Sequence, residues 1–201
     1  MLGLLIPVVL TSAVGALWVG SWAGLQRLRI LWWQLALGSI AVELVLHNPP
    51  VDRQSWALAW GPWIWVACLG AMLAVLVRNG LSNDPARGAF RVAAVGVALN
   101  LFVVVANGGI MPQSAEARLS ARGIPLVTAG APPMLRNVVE IGPETRFAWL
   151  SDVFAQPSWL PKANVVSIGD LVLSTAMALW AFQTITARRR TQVWRRTADS
   201  Q

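Results

Sequence analysis

A chain of 201 residues that is 56% hydrophobic and only 12% charged departs from soluble domains, which carry about 25% charged residues. Its mean hydropathy of +0.56 places it in the membrane class. The net charge of +7 does not argue for nucleic acid, because the basic residues fall in short loops and one tail between apolar runs.

Twelve tryptophans and no tyrosine suit a bilayer, since indole rings favour the headgroup level. The single cysteine, Cys68, lies inside an apolar run and allows no intrachain disulfide. A hydrocarbon core about 30 Å thick needs about 20 mostly apolar helical residues. Five stretches answer to that: Leu2 to Trp22, Ile30 to His47, Trp56 to Val77, Phe90 to Asn107 and Val165 to Thr186. The fold class expected is all-α, a polytopic integral membrane helix bundle of about five transmembrane helices with a Pro/Gly-rich extracytoplasmic cap.

The first stretch has no basic residue ahead of its apolar core, and "QRLR" follows it. Both features favour a retained helix over a cleaved signal peptide. Ten of the sixteen basic residues, from Arg27 to the tail "ARRRTQVWRRTADSQ", lie on one side of a five-span model. That side is expected to be cytoplasmic, with the N-terminus outside and the C-terminus inside a bacterial cell membrane. The organisation expected is four spans over residues 1–107, a cap over 108–164, a fifth span over 165–187 and a basic tail over 188–201.

The cap segment holds seven prolines between Gly108 and Asn164, too many for a sizeable domain with its own core. Two short helices are expected within it. One follows Ser114 as N-cap and stops at Gly123. The other covers Pro143 to Phe154, where Phe147, Leu150 and Phe154 recur at helical spacing.

Polar residues inside apolar spans carry the functional question. Glu43 and His47 are four apart on the second span, and Asn100 and Asn107 seven apart on the fourth. Ser167, Asp170 and Ser174 share a face of the fifth. At 1.5 Å per residue, Asn100 lies roughly 10 Å inward from Asn107, and Asp170 roughly 8 Å inward from Val165. The three helices thus offer polar groups at similar depth. These groups form either a structural network of the kind that glues membrane helices or an outward-facing pocket for a small ligand, proton or ion. Haem or chlorophyll ligation by the lone His47 is not expected, and no Cys/His cluster has metal-site spacing. No cofactor is therefore expected, and no nucleophile, P-loop or zinc-protease motif occurs.

Three stretches in order, "NGGIMP" (Asn107 to Pro112), "TRFAWLSDVF" (Thr145 to Phe154) and "VVSIGD" (Val165 to Asp170), resemble an uncharacterised family of bacterial membrane proteins. That family is known as domain of unknown function number five-three-one-seven. Val166 stands where the family has Phe. The resemblance implies a small polytopic membrane protein and implies no activity. It adds Asp152 to the candidate residues Glu43, His47, Asn100, Asn107, Gly108, Gly109, Pro112, Ser167 and Asp170. The glycines permit positive φ and close approach, Pro112 blocks helix continuation, and the "NGG" turn is expected to pack against the start of the fifth span. The function expected is a non-enzymatic accessory or scaffold subunit of a membrane complex, whose partners are the bilayer and other subunits. The alternative is a small ligand- or ion-binding transporter or sensor. A membrane enzyme working through Glu43, His47 or Asp170 ranks last.

Overall fold

The structure, a computed structural model, describes residues 30–84, 86–125 and 134–198, with side chains to residue 183. The first expected span, Leu2 to Trp22, lies outside these residues. Five α-helices stand among the described residues: α1 (Trp33–Leu46), α2 (Ser55–Gly80), α3 (Arg87–Ala106), α4 (Ala115–Arg122) and α5 (Ile168–Ala198). Two of them, α2 and α3, are long and apolar enough to cross a membrane, while α1 and the first half of α5 are shorter apolar helices.

Four helices form an antiparallel row in the order α1, α2, α3, α5. Three contacts fix the alternation. Asn79, near the end of α2, accepts from the Leu31 N–H and donates to the Leu31 carbonyl at the foot of α1. Arg91 on the first turn of α3 donates to the Gly80 carbonyl that closes α2. The Phe90 ring of α3 meets Trp180, far along α5, edge-on at 6.2 Å. Short connections between α1, α2 and α3 leave these helices little alternative to antiparallel packing.

The contact between α3 and α5 is close because two glycines face each other. A Cβ on Gly96 would stand 2.6 Å from the Gly169 carbonyl oxygen, and one on Gly169 would overlap Asn100 Oδ1. Small residues at such a crossing let the backbones approach and polar side chains reach across.

The segment between α3 and α5 folds as a cap at the His47/Asn107/Ile168 end of the row. Its first strand, β1 (Met111–Gln113), pairs in parallel with β2 (Val138–Glu140), with Met111 opposite Val138. A second ribbon pairs β3 (Phe154–Ala155) with β4 (Val165–Val166) in antiparallel fashion. The helix expected after Ser114 forms: the Ser114 hydroxyl accepts from the Ala117 N–H at 3.2 Å, and Gly123 stops the helix at φ 67°. Ala117, Ala121, Ala163 and Val165 bury one another with Leu160 packed on them. The cap thus has a small apolar cluster, short of the core of a sizeable domain.

The helix expected over Pro143 to Phe154 is absent. Only a 3-10 turn, Ala148–Leu150, forms, preceded by Phe147 at φ 55° and followed by an extended Ser151. Asp152 lies alongside β1, its N–H donating to the Pro112 carbonyl and its carbonyl accepting from Ser114. Those strand-like bonds override the local helical spacing. Leu150 still reaches the core of Trp65, Val103, Val104 and Met111, but Phe154 is exposed. At the other terminus α5 runs on to Ala198 through the expected tail, because "ARRRTQVWRR" contains neither Gly nor Pro to stop it.

Candidate functional site

Three residues meet where α3 crosses the start of α5. Asn100 Nδ2 donates to Asp170 Oδ1 at 2.8 Å, and the Ser167 hydroxyl donates to Asn100 Oδ1 at 2.8 Å. Ser167 and Asp170 also cap α5 reciprocally: the Asp170 N–H donates to Ser167 Oγ and the Ser167 N–H to Asp170 Oδ2, each at 3.0 Å. This is a capping box, which satisfies helix N–H groups that have no partner within the helix. In "SIGD", Ser caps, Gly169 admits Asn100, and Asp170 receives it.

A second line of contacts approaches from the cap. Gln113 Nε2 donates to Asp152 Oδ2 at 3.2 Å, and Arg118 Nη1 donates to Gln113 Oε1 at 3.0 Å. Gln113 and Asp152 are both buried, and their backbones form a parallel bridge. Burial, and then the Asp170 charge, push the Asp152 carboxyl up to about 7, while the Gln113 amide holds it back. Two carboxylates, one from the cap and one from α5, therefore stand within electrostatic reach of each other.

The other expected members go elsewhere. Glu43 and His47 lie on α1, and their neighbour is Trp65 of α2: the His47 ring meets the Trp65 indole edge-on at 6.2 Å, and Glu43 lies close to the indole N–H without a formed hydrogen bond. In the row of helices, α2 and α3 stand between α1 and α5, so Glu43 is not joined to Asp170. Helical spacing placed these residues on faces but did not order the helices.

Asn107 does not reach Asp170 either. It donates to the Val103 and Arg146 carbonyls and accepts from the Arg146 N–H at 2.9 Å, fastening the cap to the end of α3. Gly108 and Gly109 turn the chain at φ 71° and 89°. Gly109 rests on Pro62 of α2, where a Cβ would stand 2.7 Å from the Pro62 Cβ, and not on the start of α5. Pro112 is fully buried between the turn and Gln113.

Sequence reasoning missed Gln113, Arg118 and Asp52. Gln113 follows a proline in a three-residue strand, too short for alternation to register. Asp52, in the 3-10 turn Val51–Arg53, is fully buried with neither carboxylate oxygen hydrogen-bonded; its backbone is engaged, the N–H donating to the Asn48 carbonyl and the carbonyl accepting from the Leu135 N–H. A groove between α1 and α2 is lined by Val42, Leu46, Val51, Trp56 and Ile64, all apolar and remote from Asp170. Among the described residues no group of three His, Cys, Asp or Glu side chains is placed to hold a metal ion.

The model of a family of unknown function, DUF5317, matches residues 27–182. The chain belongs to that family. The matched range takes in all three stretches that carried the resemblance, and with them the capping box, the Gln113–Asp152 pair and the Asn107 turn. No curated protein and no solved structure matches the chain.

Proposed function

We propose that this member of DUF5317 is a multi-pass integral membrane protein with five spans and an extracytoplasmic cap, serving as a non-enzymatic accessory or scaffold subunit of a membrane complex. The observation that carries the reading is the internal satisfaction of the polar residues where α3 crosses the start of α5. Asn100, Ser167 and Asp170 use their hydrogen-bonding groups on one another, which is the economy expected of a brace between helices. Large apolar side chains such as Leu37, Leu44, Val45, Trp60, Val95 and Phe102 are exposed along α1 to α3, a surface suited to lipid or to other membrane helices. Exposed Trp32 and Trp33 at one end, with Trp56, Trp60 and Trp63 toward the other, suit two interfacial belts. Solubilisation in mild detergent followed by native mass measurement tests the reading: a stable assembly larger than one chain is expected, and a lone monomer sinks it.

A second reading, an ion- or proton-binding protein, is favoured by one observation, the proximity of Asp152 to Asp170. Under it, Asp152→Asn abolishes a ligand-dependent thermal shift while the protein stays folded. Under the scaffold reading the same change alters stability alone.

A further inference from the structure

The chain enters α1 at the junction of two helices. Asn79, near the end of α2, holds both backbone groups of Leu31, accepting from the N–H at 2.8 Å and donating to the carbonyl at 3.0 Å. Whatever precedes Leu31 therefore arrives beside α1 and α2. Between the same two helices an apolar groove opens, lined by Val42, Val45, Leu46, Trp56 and Ile64. On its α1 wall Leu35, Gly38, Val42 and Val45 follow at intervals of three, four and three, the spacing of a seam between helices. All four are exposed, and Gly38 has open space where a Cβ would stand. In lipid, where apolar side chains alone do not drive association, an outward-facing small residue lets a second helix approach closely.

The chain itself supplies a partner of matching length and pattern. Leu2 to Trp22 lies outside the described residues; it is apolar, and only Ala23 to Ile30 separate it from Leu31. Short links join antiparallel neighbours. Its Val9, Ala13, Ala16 and Gly20 recur at intervals of four, three and four, complementary to the α1 seam. One antiparallel register sets Gly20 against Leu35, Ala16 against Gly38, Ala13 against Val42 and Val9 against Val45. Small residues fall at the levels nearest the link, where the two segments must come closest. We propose that Leu2 to Trp22 occupies the groove between α1 and α2, antiparallel to α1, as a second layer on the helix row. The proposal rests on the membrane reading above. A second copy of the chain and lipid acyl chains are the competing occupants, and neither is tethered to Leu31.

The test oxidises the full-length protein in its membrane, with Cys68→Ala to remove the native thiol. One variant carries Ala13→Cys with Val42→Cys, the other Ala13→Cys with Leu44→Cys. Leu44 lies near the depth of Val42 but about 200° around α1. The first pair is expected to close within one chain, read as a cross-linked peptide at monomer mass, while the second stays reduced. Gly38→Leu carries no engineered thiol and keeps the proposal testable if a cysteine variant fails to fold. At an open helical glycine, leucine raises the melting temperature through helix propensity. Pressed against an occupant of the groove, it lowers the melting temperature by overpacking, and the lowering is the expected result. Cross-links found only between chains assign the groove to a second copy and overturn the proposal. Equal closure of both pairs, closure of neither, or a raised melting temperature for Gly38→Leu overturns it as well. Release of the wild-type protein by carbonate washing would sink the membrane reading instead, and the cross-link would still report the contact.

Discussion

Asn100 and Asp170, seventy residues apart in sequence, are joined at 2.8 Å across the space that a side chain on Gly169 would occupy. The bond and the glycine belong together: without the one the other has no purpose. Gly169→Ala should therefore destabilise the protein as an overpacked core does, by about 1–3 kcal/mol. Asp170→Asn weakens a charge-assisted bond and should cost about 1.5–3 kcal/mol. The two changes strike one contact, so the double variant should cost clearly less than the sum of the singles. Melting temperatures of the four proteins in one detergent decide it, and strict additivity would separate glycine from pair.

The raised carboxyl of Asp152 makes a pH prediction with a definite sign. Its folded-state value, about 7, lies above the ordinary 3.8, so the folded protein holds the proton more tightly than the unfolded chain. Below about pH 4 both states are protonated and nothing is lost. Between about pH 4 and 7 only the unfolded state ionises freely, and stability falls as pH rises, by on the order of 4 kcal/mol in full. Above pH 7 the loss is complete and the slope vanishes. Asp152→Asn should flatten the melting temperature between pH 4 and 7 relative to wild type. Parallel profiles for the two proteins would show that Asp152 ionises normally.

The helix row was legible in the sequence because apolar length is a strong signal. Four of the five expected spans coincide with helices to within a few residues, apart from α5, which outruns its expected end. The Asn100–Asp170 pair was legible too, since helical rise alone set both at one depth. What escaped was sequential order turned into spatial order: the spacing of Glu43 and His47 says which face they share, not that α2 and α3 intervene before α5. In the cap the helix between Ser114 and Gly123 was legible from its two ends, but the Pro143–Phe154 stretch escaped for another reason. Its Phe147, Leu150 and Phe154 repeat at helical spacing, yet long-range bonds from Asp152 to Pro112 and Ser114 decide the backbone, and no local pattern announces a partner forty residues away. Asn107 meets the same limit, because its partner is the Arg146 backbone, in that stretch of the cap, and not Asp170.

The paired glycines of the "NGG" turn separate conformational freedom from space. Both have positive φ, but a Cβ on Gly108 meets nothing, while one on Gly109 runs into Pro62. Gly108→Ala should cost about 1 kcal/mol for the left-handed backbone alone. Gly109→Ala adds overpacking against a ring that cannot rotate away, for roughly 2–4 kcal/mol. Thermal melts of the two variants rank them, and equal losses would mean that the turn does not rest on α2.

Asp52 reverses the usual expectation for a buried carboxylate. Asp170 is held by donors on two sides, whereas both Asp52 oxygens lie buried without a hydrogen bond, against the apolar cluster of Leu46, Ala57 and Leu135. A buried polar group lacking partners costs free energy, and a charged one costs more than a neutral one. Asp52→Asn removes the charge at nearly constant volume and leaves the Leu135 N–H on the Asp52 carbonyl untouched. It should therefore raise stability by about 1 kcal/mol or more, while the same chemical change at Asp170 lowers it. Opposite shifts in melting temperature for the two Asp→Asn variants are the expected result. A loss at both positions would mean that Asp52 is engaged by a cation or a polar partner in the working protein.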